Sequence, residues 1–256
     1  MGTFGTLIGA GGGFVLMPIL LLLYPKESPE YLTSISLAIV FFNALSGSYA
    51  YSRMKRIDYR SGLIFSTATI PGAILGAYIV YYINRDVFNL IFGILLLIVS
   101  VYLILRPVSP LKRSYSSSGT SRTLVDFEGT IHRYSFNSPL GIIISLFVGF
   151  LSSMLGIGGG IIHVPALVNL LNFPVHIATA TSHFILAIMS FTGSMVHLIN
   201  GTLSHGFYLV LSLGIGVLIG AQFGAKLSTK IHGHWIIRGL AIALMIVGIR
   251  ILFLSI

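Results

Sequence analysis

One motif occurs twice in the chain, as GAGGGFVLMPIL from Gly9 to Leu20 and as GIGGGIIHVPAL from Gly156 to Leu167. Each copy joins a run of glycines to hydrophobic residues and a proline, inside apolar sequence. Glycine permits backbone turns that other residues resist. The interior of a bilayer, however, offers no partner to the polar groups that such a turn exposes. The two copies therefore predict two deliberate breaks within apolar helices.

The composition is that of a membrane protein. Of 256 residues, 55% are hydrophobic and 8% are charged, whereas a soluble domain is about 25% charged. No Asp, Glu, Lys or Arg occurs from Tyr134 to Ala225, a stretch long enough for several crossings at roughly 20 residues each. The net charge of +9 does not indicate nucleic-acid binding, because the basic residues lie in short connections between apolar runs. We expect a multi-pass protein of the cell membrane, surrounded by lipid.

Charged and turn residues divide the chain into eight apolar segments. They cover approximately residues 2–24, 31–52, 61–83, 87–105, 139–171, 175–199, 205–227 and 235–253. We predict an all-α polytopic membrane protein of two homologous repeats, each with about four membrane segments. Repeat 1 is residues 1–105, a polar cytoplasmic linker is 106–137, and repeat 2 is 138–256. Within the linker, RTLVDFEGTIHRYSF alternates β-forming residues around Glu128 and Gly129, which fits a small hairpin as well as a solvated loop.

Further matches between the two halves support the duplication. Thr33, Ile35 and Ser36 align with Thr179, Thr181 and Ser182, GS at 47–48 aligns with GS at 193–194, and PGAILGA from 71 aligns with IGVLIGA from 215. These matches keep the same order at nearly constant spacing. The first copy lacks most of the helix that precedes the glycines in the second copy, so we expect either an abrupt start or a natural start farther upstream.

The basic residues bear on how the repeats are oriented. RMKRIDYR, residues 53–60, is strongly basic and is expected to be cytoplasmic. If the segment 139–171 crosses the membrane fully, the connection with Lys226 and Lys230 lies outside; if that segment turns back, the connection lies inside. The second case fits the positive-inside rule better. We therefore favour inverted repeats, each starting with a glycine-broken, re-entrant helix, over eight plain crossings with kinks.

The glycine breaks are candidate anion sites. At the start of a half-helix the N–H groups are unpaired and the local dipole is positive, and inverted-repeat transporters bring such ends together near the membrane midplane. The alternative role is close helix packing through small residues. The predicted substrate-binding glycines are Gly11, Gly12, Gly13, Gly158, Gly159 and Gly160, and the structural prolines are Pro18 and Pro165.

Hydroxyl and imidazole groups near the breaks are further candidates. They are Ser36, Thr179, Thr181, Ser182, His163 and His183. The hydroxyls fit donors to an oxyanion or bonds back to their own helices. An ionisable residue in the membrane indicates function by default, although a neutral histidine bonded to a carbonyl is an equal alternative for both histidines. All six acids lie in connections or in the linker. We therefore expect no metal, no cofactor and no catalytic residues, and any coupled proton would be carried by histidine or by the substrate.

The paired motif GxGGGxxxxPxL, with ATS following its second copy, resembles the TauE/SafE family of sulfite and sulfoacetate exporters. The resemblance covers nearly the whole chain, although repeat 1 reads TSIS where repeat 2 reads TATS. It implies a secondary transporter, an exporter, of small sulfur-containing oxyanions such as sulfite, thiosulfate or sulfoacetate, with or without proton coupling. A passive anion channel of the same architecture is the alternative. A hydrolase is disfavoured because the neighbours Ser182 and His183 point about 100° apart on a helix. A homodimer is left open.

Overall fold

The computed structural model describes residues 1–105, 119–228 and 233–253, and its helices reproduce the predicted apolar segments. The helices are α1 Gly2–Ile8, α2 Gly13–Leu23, α3 Pro29–Arg53, α4 Tyr59–Ile79 with a 3₁₀ turn at Val80–Tyr82, α5 Arg85–Leu105, α6 Ser138–Leu155, α7 Gly160–Asn169, α8 Val175–Ile199, α9 Thr202–His205, α10 Phe207–Leu227 and α11 Gly233–Phe253. Within these residues, six helices are long and apolar enough to cross a membrane, namely α3, α4 (with its 3₁₀ turn), α5, α6, α8 and α10. The protein is a mostly helical, multi-pass membrane protein.

The helix ends follow from local sequence. Asp58 caps α4 by accepting the amide of Ser61, and Asn137 caps α6 by accepting the amide of Leu140. Side-chain oxygens at this position replace partners that the first amides of a helix lack. Glycines in the left-handed conformation end α1 and α6, at Gly9 and Gly156. Both long apolar segments that carry the motif are therefore split into two helices.

Helices α6 and α7 form a hairpin rather than one kinked crossing. The Oγ of Ser145 on α6 lies 3.2 Å from Nε2 of His163 on α7, and a methyl group added at Gly141 would lie 3.1 Å from the side chain of Leu171. In a continuous helix, residues 141 and 171 would be about 45 Å apart. The chain thus enters and leaves this hairpin at the same end of the bundle.

At the first break the chain also turns back on itself, between the shorter helix α1 and the start of α2. The amides of Ala10 and Gly11 both donate to the carbonyl of Gly5, at 2.8 and 3.2 Å. A methyl group at Gly5 would overlap the backbone of Gly12. The contact between α1 and the start of α2 therefore requires glycine at Gly5, and the left-handed φ of 80° favours glycine at Gly12.

Helices α3 and α8 are antiparallel at the centre of the bundle. A methyl group at Gly47 would overlap the ring of His183, and one at Gly193 would lie 3.0 Å from the side chain of Leu37. Residues early in α3 therefore lie beside residues late in α8. Glycine at these two positions lets the helices approach closely, as small residues do in membrane bundles.

The linker contains the hairpin that the sequence left as one of two possibilities. Strands β1 Thr120–Val125 and β2 Ile131–Phe136 pair antiparallel, with Thr120 opposite Phe136. The rings of Tyr134 and Phe136 are buried against Phe173, at centroid distances of 4.6 and 4.9 Å. The rest of the linker, residues 106–118, lies outside the described residues. We call the end of the bundle with the β-hairpin and the α3–α4 connection the hairpin end, and the opposite end, with the α2–α3 connection, the far end.

A buried carboxylate fastens the β-hairpin to the helices. Asp58 accepts hydrogen bonds from the hydroxyls of Ser61 and Tyr134, at 2.5 and 2.8 Å, and its carboxylate lies 3.8 Å from the guanidinium of Arg122. Burial and the neighbouring Asp58 charge raise the pKa of Tyr134, so the phenol remains a donor. A second ion pair, between Arg56 and Asp126, connects the turn of the β-hairpin to the end of α3.

Candidate functional site

Both glycine breaks are bends built from left-handed residues. In the first bend Gly9, Gly11 and Gly12 have φ of 84°, 71° and 80°, and in the second Gly156 and Gly158 have φ of 66° and 67°. Residues with a Cβ rarely adopt these angles. The motif therefore contains glycine where the backbone must reverse, and each bend ends one helix and begins the next.

The two bends lie directly against each other in the interior of the protein. A methyl group at Gly160 would overlap the carbonyl oxygen of Gly9 and lie 2.5 Å from Cα of Ala10. One at Gly13 would lie 2.6 Å from the carbonyl oxygen of Ile157. The start of α7 is thus packed on the first bend and the start of α2 on the second. In this conformation the bends are closed on each other.

The first amides of α2 and α7 are buried. Among the described residues, no hydrogen-bond acceptor is found for the amides of Gly12, Gly13, Gly159 or Gly160. A helix N-terminus leaves such donors unsatisfied unless a cap, water or ligand accepts them, and the helix dipole makes the position electropositive. Two such ends in one apolar interior form an arrangement that suits an anion.

The carbonyl groups of the bends are satisfied by side chains of the central helices. Ser36 on α3 donates to the carbonyl of Gly156 at 2.5 Å, and Ser182 on α8 donates to that of Gly9 at 3.3 Å. The sequence suggested these hydroxyls as donors to an oxyanion or to their own helices. Here they hold the opposite bend in place, since a glycine turn leaves carbonyls that need partners.

The contacts of the first bend are repeated by the second. Glycines of the first motif contact residues of α8, and the aligned glycines of the second motif contact the aligned residues of α3. Each half of the chain therefore packs against the other half through equivalent contacts. The matched contacts are Gly9 with Thr179 and Gly156 with Thr33, Gly11 with Leu186 and Gly158 with Val40, and Gly47 with His183 and Gly193 with Leu37.

Three of the remaining candidates lie in different surroundings. Thr179 is buried against Gly9, beside the first bend. Thr181 instead accepts the amide of Asp58 at 3.0 Å, so its hydroxyl fixes the α3–α4 connection at the hairpin end. His163 is buried between α7 and α6, where its ring meets Ser145. Only the first of these three side chains borders a bend.

His183 borders the first bend and is fully buried. Its ring lies on Gly47 and packs edge-on against Tyr51 at a centroid distance of 5.6 Å. Neither ring nitrogen makes a hydrogen bond with the described residues. Among the candidate side chains that the structure describes near the bends, this imidazole is the one with two polar atoms that lack a hydrogen-bond partner.

Pro18 and Pro165 occupy matching places inside the short helices α2 and α7. Proline in a helix interior removes one backbone hydrogen bond and disturbs the preceding turn. Both short helices therefore combine a glycine start with a proline within the next two turns. The structural role that the sequence predicts for the two prolines stays a prediction.

Three polar residues of the site were not among the predicted residues. Asn43 donates to the carbonyl of Gly11 at 3.0 Å and accepts the hydroxyl of Thr6 at 2.5 Å, while Tyr51 donates to the carbonyl of Thr6 at 2.8 Å. Together they support the first bend. The signal for Asn43 was its position as an amide inside an apolar run, since such residues bond across helices.

The chain matches the protein family described as "Sulfite exporter TauE/SafE" over residues 1–251. It is 36% identical to the probable membrane transporter protein YunE of Bacillus subtilis (strain 168), over 98% of this chain and 93% of that protein. It is 22% identical to the probable membrane transporter protein YdhB of the same organism, over 96% and 94%, and 23% identical to the probable membrane transporter protein YfcA of Escherichia coli (strain K12), over 86% and 74%. No solved structure matches the chain significantly. The protein belongs to the TauE/SafE sulfite exporter family.

Proposed function

We propose that this membrane transporter of the TauE/SafE type is a secondary transporter that exports small sulfur-containing oxyanions, such as sulfite, thiosulfate or sulfoacetate. The family description supports a sulfur anion as substrate. The observation that carries the proposal is the contact between two helix N-termini whose first amides have no acceptor in the described part of the chain. The acids of the bundle lie at helix ends and in connections. Amides and dipoles of this kind select negative charge without a basic side chain.

The proposal includes two inverted repeats. Three observations support it: α6 and α7 turn back on themselves, α3 and α8 run antiparallel, and the bend contacts occur in matched pairs. The hairpin end carries Arg53, Lys55, Arg56 and Arg60, in the α3–α4 connection and the adjoining helix ends, so the positive-inside rule makes it cytoplasmic. On this basis the α2–α3 connection is external and the equivalent α7–α8 connection is cytoplasmic.

Single cysteines test the inversion, because the natural chain has none. Lys26→Cys lies in the α2–α3 connection, and His176→Cys lies in the first turn of α8, directly after the α7–α8 connection. Both positions are exposed. A membrane-impermeant maleimide added to intact cells should label Lys26→Cys and leave His176→Cys unlabelled until the membrane is opened. Labelling of both cysteines from the same side would contradict inverted repeats.

In the proposed cycle the anion binds when the two bends separate. The amides of Gly12, Gly13, Gly159 and Gly160 then donate to its oxygens, while Thr179 and His183 border the first bend. In this conformation the two bends are in contact at Gly13 and Gly160, so no anion fits between them. This favours a carrier, in which the site opens to one side at a time, over a passive anion channel.

Flux measurements test the function. Purified protein in proteoliposomes should take up labelled sulfite, thiosulfate or sulfoacetate with saturation, and an internal unlabelled pool of the same anion should accelerate uptake. Empty liposomes provide the background. Flux that never saturates and shows no exchange would support the channel. Absence of flux for every small anion, with protein shown to be folded, would contradict both.

A further inference from the structure

A chain of polar groups leads from a cavity at the far end into the buried part of α8. The cavity has a volume of about 550 Å³ and is lined by Glu27, Ser28, Tyr31, Asn200, Gly201 and Thr202. The hydroxyl of Thr202 lies 2.7 Å from that of Tyr81, and the Tyr81 hydroxyl lies 3.0 Å from Nδ1 of His197. Two hydrogen bonds thus connect a solvent-accessible cavity with an imidazole.

His197 is fully buried, and its Nε2 has no hydrogen-bond partner among the described residues. A buried polar atom left unpaired costs about 1–3 kcal/mol, so its presence calls for an explanation other than stability. The aligned position in the first half is Tyr51, whose hydroxyl is paired with the carbonyl of Thr6. The second half of the chain therefore has an ionisable imidazole, His197, at the position where the first half has a hydrogen-bonded phenol, Tyr51.

The charged and titratable groups that the structure describes around His197 do not include a counterion for a protonated ring. Tyr81 faces it from the 3₁₀ turn after α4, with ring centroids 5.6 Å apart. Glu27 and Tyr31 line the cavity, and the Arg85 guanidinium donates to the carbonyls of Leu21 and Tyr24 nearby. Within the described residues no carboxylate pairs with His197. A bound anion is then the group that would favour the protonated ring.

The position of His197 links it to the second bend. The antiparallel register of α3 and α8, with Leu37 beside Gly193, brings Thr33 opposite His197. Thr33 in turn lies against Gly156, and its Oγ1 is also buried without a partner. One helix therefore separates the imidazole from the bend at which the proposed anion binds, and charges interact more strongly across such a low-dielectric interior than across water.

We propose that His197 is the residue that carries the coupled proton, and that Tyr81 and Thr202 form its path to the far-end cavity. In the neutral ring, Thr202 donates to Tyr81 and Tyr81 donates to Nδ1. A proton arriving from a hydronium ion in the cavity is accepted by the Thr202 oxygen, each hydroxyl passes its own proton onward, and Nδ1 gains one. The products are imidazolium and water. Both hydroxyls are restored, and the hydrogen bonds now run in the opposite direction, from Nδ1 to Tyr81 and from Tyr81 to Thr202. This inference rests on the proposed anion transport.

His197→Gln and Tyr81→Phe test the path in proteoliposomes, with His176→Gln, at an exposed position of the same helix, as the matched control. Two activities are measured on each protein: exchange of labelled for unlabelled thiosulfate at equal pH, and net thiosulfate accumulation driven by a pH gradient with a pH-sensitive dye inside. Exchange needs the anion site alone. Gradient-driven accumulation also needs the proton carrier.

We expect His197→Gln to retain exchange and to lose gradient-driven accumulation and the dye signal, because glutamine does not titrate in this pH range as histidine does. Tyr81→Phe should slow the dye signal while exchange persists, and His176→Gln should match the wild type. If His197→Gln abolishes exchange as well, Tyr81→Phe decides, because it keeps the imidazole. Wild-type dye signals in both variants would overturn the inference, and so would a wild type that exchanges anions without moving protons. Absence of exchange in the wild type would instead refute the proposed function.

Discussion

Alanine in place of Gly160 should abolish transport. The added methyl group would overlap the carbonyl oxygen of Gly9 and lie 2.5 Å from Cα of Ala10. Both are backbone atoms of the other bend, so no rotamer change can relieve the overlap and the bends must shift apart. Overpacking of this kind costs about 1–3 kcal/mol and occasionally more. Gly13→Ala, which meets the Ile157 carbonyl at 2.6 Å, should have the same effect on the other side.

Gly216→Ala is the matched control for both substitutions. It makes the same chemical change in a membrane helix, α10, at a position where a methyl group meets no atom within 4 Å. Thiosulfate uptake by this variant should equal that of the wild type, while uptake by Gly160→Ala falls to the liposome background. Size-exclusion profiles establish that each protein is folded. Full uptake by Gly160→Ala would show that close contact between the bends is dispensable.

Asp58→Ala should produce the largest loss of stability outside the bends. The carboxylate is 6% exposed, caps α4 and accepts hydrogen bonds from Ser61 and Tyr134. Its removal leaves Arg122 without its carboxylate and α4 without its cap. Together these losses are worth about 2–4 kcal/mol. The midpoint of thermal unfolding in detergent should therefore fall clearly.

Asp86→Ala provides the comparison for Asp58. Asp86 is also an acid at the start of a membrane helix, in the first turn of α5, but its side chain is exposed. Its removal should shift the midpoint little, since a charge near a helix N-terminus contributes about 0.3–1 kcal/mol. Equal shifts for the two variants would mean that the Asp58 network does not fasten the β-hairpin to the helices.

The segments could be predicted from sequence because lipid imposes long apolar runs and charges mark their ends. Helix α8, predicted at 175–199, occupies those residues. The glycine runs likewise indicated two breaks. The re-entrant direction of the chain after each break was favoured from the distribution of basic residues and not from the local sequence, because it depends on contacts between distant residues such as Ser145 and His163. The β-hairpin was undecided for the same reason, since it depends on burial of Tyr134 and Phe136 against Phe173.

The side chains of the site were harder to predict than its backbone. Glycine runs indicate where amides are freed, but they do not indicate which hydroxyl satisfies which carbonyl. Ser36 and Ser182 therefore stood as donors to a solute or to their own helices, although each donates to the opposite bend. Thr181 lies one position before Ser182, yet it points to Asp58, because neighbouring residues on a helix face different directions.

The central claim is that the first amides of α2 and α7 bind the transported anion after the bends separate. A crystal structure with thiosulfate, recorded at a wavelength where sulfur scatters anomalously, tests this most directly. We predict an anomalous peak between Gly13 and Gly160, apart from those of the methionines, with the bends farther apart than they are here. An anion held elsewhere, with the two bends still in contact, would contradict the account.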